Sequence, residues 1–213
     1  MGNLAQTTFF TGGQSLQNPD DPDWDLGNCA LSRRHIANAT VTVETPQFAN
    51  RGVSILASGW NVAGILGARS GMWLSVMTLR DIAANGILQQ RVDQVLADPY
   101  GKKTLDNYLN PAAFAYPAPG QLGNHKRNSI EGPAYWSIDV ALSRRIRLGT
   151  AQNVEFRVET FNLLNHFNWG NPGPPLTGGG NANTVNLDAG NFGQITTQTG
   201  TPRVFQFGIK YVF

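Results

Sequence analysis

The chain has 213 residues, a net charge of +2, only 14% charged residues and a mean hydropathy of −0.24. Soluble domains average about 25% charged residues, so low charge without high hydropathy is instead typical of an outer-membrane barrel, where lipid-facing residues alternate with neutral polar ones. The small, scattered charge excludes a nucleic-acid-binding class. The single cysteine, Cys29, excludes a disulfide framework and a cysteine zinc site within the chain.

Neither a membrane-spanning helix nor a signal peptide is visible in the sequence. No apolar run approaches the ~18 residues that a transmembrane helix needs. The first ten residues, which begin at Met1, lack a basic start and a sustained apolar core. Because an exported protein needs a signal peptide, we expect this sequence to be a piece of a longer chain, a natural truncation or a partial sequence.

The first alternating segments predict a hairpin over residues 35–77. A strand begins at His35 and ends before Pro46, which cannot donate to a sheet ladder. After a short connection, a second strand is predicted from Trp60 to Met77. An isolated glycine in a strand often marks a bulge, so we place one at Ser70-Gly71.

Three further strands are predicted from alternation in the second half of the chain. A predicted hairpin over residues 134–161 contains a strand from Trp136 to Leu148, a tight turn at Gly149-Thr150-Ala151 and a second strand around Phe156. Residues 203–213 form the predicted terminal strand, with an aromatic face and a wetter face.

Long connections separate these strands at 1–34, 78–133 and 162–202, with a short helix predicted from Ile82 to Leu96. Connection lengths therefore alternate between long and short, as in a transmembrane barrel with short periplasmic turns and long extracellular loops. The fold class predicted is all-β, an antiparallel up-and-down meander of about five strands that forms part of such a barrel. The terminal strand then runs inward and ends in the aromatic belt at the periplasmic interface.

Charge placement within the strands supports this orientation. Charges on a lipid face cost roughly 2–4 kcal/mol each near the midplane, so they are expected in the lumen. An antiparallel register placing Arg145 opposite Glu155 would neutralise charge. Arg144 falls on the apolar side, near the turn, where it can snorkel to the interface. The predicted lumen-facing charges are Asp139, Arg145, Arg147, Glu155, Arg157, Glu159 and Lys210, and the predicted lipid-facing or assembly residues are Phe205, Phe207, Ile209, Tyr211 and Phe213.

Several motifs resemble a known family. They are Asn110-Pro-Ala-Ala-Phe114, residues 123–133 (GNHKRNSIEGP), Trp136-Ser-Ile-Asp139, residues 156–166 (FRVETFNLLNH) and the closing Tyr211-Val-Phe213. Together they resemble the C-terminal barrel of TonB-dependent outer-membrane receptors, in the group that carries a carboxypeptidase-regulatory-like domain. The resemblance covers most of residues 25–213.

This resemblance implies a barrel of about 22 strands, plugged by an N-terminal domain, that imports nutrients with energy from TonB. The expected location is the cell outer membrane. Expected partners are membrane lipid, the missing plug and barrel strands, TonB through that plug, and the barrel-assembly machinery, which in this family reads a terminal strand ending in Phe213. Five strands cannot close a barrel, because about eight are the practical minimum.

No motif points to chemistry. A nucleophile elbow, a phosphate-binding loop and a dinucleotide-binding unit are all missing, and the three histidines lack metal-ligand spacing, so we expect a protein without catalytic residues, metal or cofactor. The alternative left open is a soluble or secreted β-sandwich that binds carbohydrate. A sandwich would bury Phe156, Phe205, Phe207 and Tyr211 between two sheets, whereas a barrel leaves them on an uncovered face.

Overall fold

The computed structural model describes residues 16–18, 20–149, 152–174 and 183–213. They fall into two compact units. The sheet unit comprises residues 35–69, 135–149, 152–168 and 200–213, and the loop unit comprises 16–18, 20–34, 70–134, 169–174 and 183–199.

The described residues form short and long strands with little helix, as the all-β prediction requires. In chain order these are β1 (Ile36–Glu44), β2 (Trp60–Arg69), β3 (Trp73–Thr78), β4 (Gln90–Arg91), β5 (Asp93–Gln94), β6 (Phe114–Ala115), β7 (Ile130–Glu131), β8 (Tyr135–Arg147), β9 (Asn153–Phe161), β10 (Thr184–Asn186) and β11 (Val204–Val212). Helix α1 (Arg51–Ala57) connects β1 to β2, and 3-10 turns lie at Pro22–Asp25 and Pro111–Ala113.

The sheet unit is one antiparallel sheet in the order β1-β2-β8-β9-β11, so its strands follow one another as in a meander. The predicted fold class is therefore confirmed. Within the described part of the chain, β1 and β11 are the two edges of this sheet. Both carry a full strand of backbone groups available for pairing.

The register joins the separate alternation patterns into two continuous faces. One row across the five strands is Val43, Val62, Leu142, Val158 and Phe207. The neighbouring row is Glu44, Asn61, Ser143, Arg157 and Gly208. Because side chains of paired residues point to the same side and successive residues to opposite sides, the sheet has one apolar face and one polar face.

The ends of the sheet differ in what they connect. The β1–β2 and β8–β9 connections leave from the same end, which we call the short-turn end, where Trp60 pairs with Arg144 and Arg147 with Asn153. The longer connections leave from the opposite end, where Arg69 pairs with Tyr135. Of the predicted β8–β9 turn, Thr150 and Ala151 lie outside the described residues, while the Leu148 and Gly149 amides both donate to the Gln152 carbonyl.

The predicted strand from Trp60 to Met77 is wrong in its extent, because β2 ends at Arg69 and β3 belongs to the loop unit. The position of Gly71 explains the break. A Cβ atom there would lie 1.8 Å from the Gly132 carbonyl oxygen, so the backbones approach too closely for any other residue. Apolar residues continue through the break, which is why alternation alone suggested one strand.

The loop unit is built around β3. β10 pairs with it in parallel, while β4 and β7 pair with it antiparallel at opposite ends, and β5 pairs with β6 separately. Its hydrophobic core consists of Leu74, Val76, Val92, Tyr108, Leu109, Ala113, Phe114, Ile130, Val185, Phe192 and Ile195. The predicted long loops 78–133 and 162–202 therefore contribute to a packed unit with a core of its own.

The predicted helix from Ile82 to Leu96 is wrong. This segment contains β4 and β5 instead. The Gln90 side chain accepts from the amides of Ile82 and Ala83 and donates to Asp81, so a buried polar side chain fixes an irregular turn here.

Parts of the predicted loops lie outside the described residues. These parts are residues 1–15 and 19 of the loop 1–34 and residues 175–182 of the loop 162–202.

Candidate functional site

A ladder of charged side chains lies on the polar face of the sheet. Glu155 on β9 lies opposite Arg145 on β8, as predicted, and the Arg145 Nη2 atom is 3.2 Å from Glu155 Oε2. Arg157, the next residue on that face of β9, lies 2.8 Å from Glu155 Oε1 and 3.4 Å from Glu159 Oε1. Two carboxylates and two guanidinium groups therefore alternate, and each charge has an opposite neighbour.

The other predicted lumen charges surround this ladder less closely. Lys210 on β11 lies in register with Glu155, and Arg147 with Asn153. Asp139 has a structural role, because its Oδ1 atom accepts the amide of Asn162, a residue with a positive φ of 49° after β9. A shallow depression of about 370 Å³ lies over β9 and β11, and its lining includes Glu155, Arg157, Glu159 and Lys210.

The predicted aromatic face of the terminal strand is uncovered within the described chain. Phe207 is 75% exposed and Phe213 is 90% exposed. Phe156, Phe205, Ile209 and Tyr211 are also exposed, and the Tyr211 and Phe213 rings stack with centroids 5.9 Å apart. A carbohydrate-binding sandwich would bury these rings, so the alternative of a β-sandwich does not agree with the structure.

A buried ion pair in the loop unit was missed by the sequence reasoning, which predicted residues 1–34 only as a long loop. Arg91 Nη1 donates to Asp25 Oδ1 over 2.5 Å, and both side chains are buried. The amide of Gln17 donates to the other Asp25 oxygen, and Arg91 Nη2 donates to the Trp24 carbonyl. Burial lowers the pKa of Arg91, and the attraction of Asp25 partly offsets that effect.

His125 lies close to this pair and is buried as a neutral ring. Its Nδ1 atom is 3.2 Å from Gln94 Oε1, and the ring packs edge-on against Phe114. The Nε2 atom is buried with no hydrogen-bond partner among the described residues. Burial, with a smaller contribution from the positive charge of Arg91, lowers the pKa of His125 to about 4. The site therefore disfavours protonation.

A second polar cluster joins β3 to the segment after β10. Asp188 Oδ2 accepts from the Thr78 hydroxyl and the Leu79 amide, and its Oδ1 accepts from the Tyr116 hydroxyl. The Arg80 guanidinium lies 3.1 Å from Asp188 and over the Tyr116 ring. Burial opposes ionisation of Asp188, but these hydrogen bonds outweigh it and lower its pKa. No signal in the sequence joined residues so far apart.

Among the residues that the structure describes, no group of His, Cys, Asp and Glu side chains is arranged to hold a metal ion. Of the three histidines, His125 is buried in the loop unit and His166 stacks on Trp136 in the sheet unit, with ring centroids 4.2 Å apart. The described helices also include none that is long and apolar enough to span a membrane.

Comparison with protein families gives a match to the family described as "Outer membrane beta barrel domain" over residues 1–206. This chain belongs to that family. It is an outer-membrane protein, which agrees with its antiparallel sheet and with the expected location in the cell outer membrane. No curated protein matches the sequence, and no solved structure matches the fold.

Proposed function

We propose that this outer-membrane barrel protein contributes wall strands and extracellular loops to a TonB-dependent receptor that imports nutrients. The observation that carries the proposal is the loop unit, because connections of a barrel sheet that pack around their own core can shape a binding vestibule. The motifs shared with TonB-dependent receptors, including Asn110–Phe114 and Phe156–His166, support the same assignment.

In this proposal each face of the sheet has its own role. The apolar face contacts lipid, and the polar face, with the Glu155–Arg157 ladder, lines the lumen or braces a plug. The loop unit shapes the outer vestibule. The chain itself is non-catalytic, since transport depends on binding and on energy supplied from elsewhere.

The proposal also defines the partners. The sheet that the structure describes has five strands, fewer than the about eight needed to close a barrel, so in this proposal further strands pair with the open edges of β1 and β11. A plug domain inside the lumen would make the contact with TonB. The exposed aromatic row that ends at Phe213 would present the terminal strand to the barrel-assembly machinery.

The experiment compares nutrient depletion by cells that carry or lack the gene for this chain. Both strains grow in a defined mixture of scarce nutrients, and the medium is analysed by mass spectrometry with TonB present and with TonB deleted. We expect one class of solutes to be depleted only when both this protein and TonB are present. Restoring the gene on a plasmid should restore depletion.

A different outcome would separate this function from a passive pore. Solutes that enter through this protein equally well without TonB would contradict the proposal and indicate diffusion through an open channel. Equal depletion by the two strains for every solute would contradict a role in uptake.

A further inference from the structure

Helix α1 presents an apolar surface that nothing in the described chain covers. Arg51 and Ser54 are its only polar side chains. Ile55 is 62% exposed and Leu56 is 74% exposed, and Val53 is exposed as well. On a helix, Leu56 and Ser54 point in nearly opposite directions, so the polar side is narrow and the apolar side broad.

The helix is held firmly at its start. The Asn50 side chain caps it by accepting from the amides of Gly52 and Val53. After its end, the Ser58 side chain is buried and accepts from the Phe48 amide. The exposed apolar side chains therefore belong to a defined element and not to a fraying turn.

The end of α1 is fixed by two side chains of the apolar face of the sheet. Trp60 Nε1 donates to the Leu56 carbonyl over 2.9 Å, and the Arg144 guanidinium donates to the Ile55 carbonyl. The same guanidinium lies 5.0 Å from the centre of the Trp60 ring. Trp60 and Arg144 are paired in register on the apolar face, so the surface of α1 continues that face at the short-turn end.

We propose that α1 is an interfacial anchor, which lies in the headgroup and acyl boundary of the leaflet at the short-turn end with Val53, Ile55 and Leu56 in contact with lipid. The periplasmic side is the expected location of short connections in an outer-membrane barrel, so the leaflet is the phospholipid one facing the periplasm. The inference goes beyond transport, since it rests on the barrel family and on the apolar face alone.

Two observations favour lipid over a protein partner as the occupant. The surface is continuous with the face that a membrane barrel turns to lipid, and it is bordered by a tryptophan, which is enriched at membrane interfaces. It also explains Arg144, the charged residue on the apolar face of β8. A guanidinium bound to helix carbonyls at interface depth keeps its charge near water, whereas a midplane position would be costly.

The test measures the depth of a fluorescent label on α1. Cys29 is the only cysteine of these 213 residues. A Cys29→Ser background, with any cysteine of the strands that complete the barrel also replaced by serine, therefore accepts a single bimane label at Leu56→Cys, or at Ser54→Cys as a matched control on the opposite side. Each protein is placed in vesicles of phosphatidylethanolamine and phosphatidylglycerol, as the complete barrel. Lipids brominated near the headgroup end of the acyl chain should quench the Leu56 label roughly threefold more than the Ser54 label, and aqueous iodide should show the opposite order.

Two outcomes would overturn the proposal. A Leu56 label reached by iodide and not by brominated lipid would place α1 in water. A label reached by neither quencher would place it beneath protein, for example a further segment or a partner subunit. Should Leu56→Cys fail to insert, Val53→Cys carries the label on the same apolar side and is judged by the same two readouts.

Discussion

Asp25 and Arg91 form a short ion pair in the loop unit with both side chains buried, so the cost of separating them should be large. Asp25→Asn keeps the shape of the side chain and removes the charge, which leaves a buried guanidinium uncompensated. Breaking a buried pair in this way costs about 3–5 kcal/mol, so opening of the loop unit should become more than roughly 100-fold easier. Hydrogen–deuterium exchange of the β3 amides in the reconstituted protein measures this change.

The matched control is Arg34→Gln. Arg34 lies 3.6 Å from Glu131 in the same unit, but its side chain is 57% exposed. Its replacement should therefore lower the stability of the loop unit by less than about 1 kcal/mol. Equal exchange in both variants would show that the Asp25–Arg91 pair does not stabilise the loop unit.

His125 should make the stability of the loop unit dependent on pH. Its pKa falls from 6.5 to about 4 on folding, so the unfolded chain binds more protons in that interval. The contribution of His125 to the stability of the loop unit should therefore be fully present above pH 6.5. As the pH falls from 6.5 to 4, the free energy of unfolding should decrease by roughly 3 kcal/mol. Exchange of the β3 amides between pH 7 and 4, corrected for intrinsic rates, tests the expectation.

His125→Gln provides the comparison, since a glutamine can still bond to Gln94 and does not titrate. Acidic groups elsewhere contribute equally to both proteins, so the difference between the two pH profiles isolates the histidine. Parallel profiles for the wild type and the variant would contradict the buried neutral state described for this ring.

Among the elements, the break between β2 and β3 depends on a single close backbone contact. Gly71→Ala would place a methyl group against the Gly132 carbonyl, so one of the two segments must move. Overpacking of this kind costs typically about 1–3 kcal/mol, and we expect a corresponding loss of exchange protection in β3 and β7.

Gly64→Ala is the control for that substitution. Gly64 lies in β2 and has no atom within 4 Å of its added Cβ, so the change should leave protection of the loop unit unaltered. Unchanged exchange in Gly71→Ala would show that the approach of the two backbones is not what ends β2.

The elements that the sequence predicted well are those whose two faces have different surroundings. In β8, with the exception of Arg144, and in β11 the residues alternate because one side is apolar and the other polar, and the Arg145–Glu155 pairing followed from that pattern. In β3 the run from Leu74 to Thr78 is buried throughout, so its sequence does not alternate between apolar and polar residues. The pairing of β3 with β10 and the Asp25–Arg91 ion pair also leave no pattern in the neighbouring sequence. Contacts made across distant segments set these features.

At the scale of the whole molecule, the two faces of the sheet should differ in how well they tolerate an introduced arginine. Phe207→Arg places a charge on the apolar face, where lipid contact would cost roughly 2–4 kcal/mol near the midplane. Gln206→Arg, one residue earlier, places it on the polar face opposite Glu159. We expect Phe207→Arg to reduce the amount of folded protein in the outer membrane severalfold, with little effect of Gln206→Arg.

Heat-dependent electrophoretic mobility of isolated outer membranes gives the folded fraction of each variant. Equal loss in both variants would point to a general sensitivity of β11, and a larger loss for Gln206→Arg would reverse the proposed assignment of lumen and lipid faces.

The parallel pairing of β3 with β10 also has a consequence for the order of events during biogenesis. Residues 73–78 meet residues 184–186 only after the intervening chain, including the β8–β9 hairpin, has been delivered. That hairpin needs only a short turn, whereas closure of the longer loop carries a greater entropic cost and is slower. Exported chains should therefore pass through a stage in which β8 and β9 are paired while β3 still awaits its partner, and pulse-labelled cells should show the loop unit acquiring protease resistance after the sheet unit.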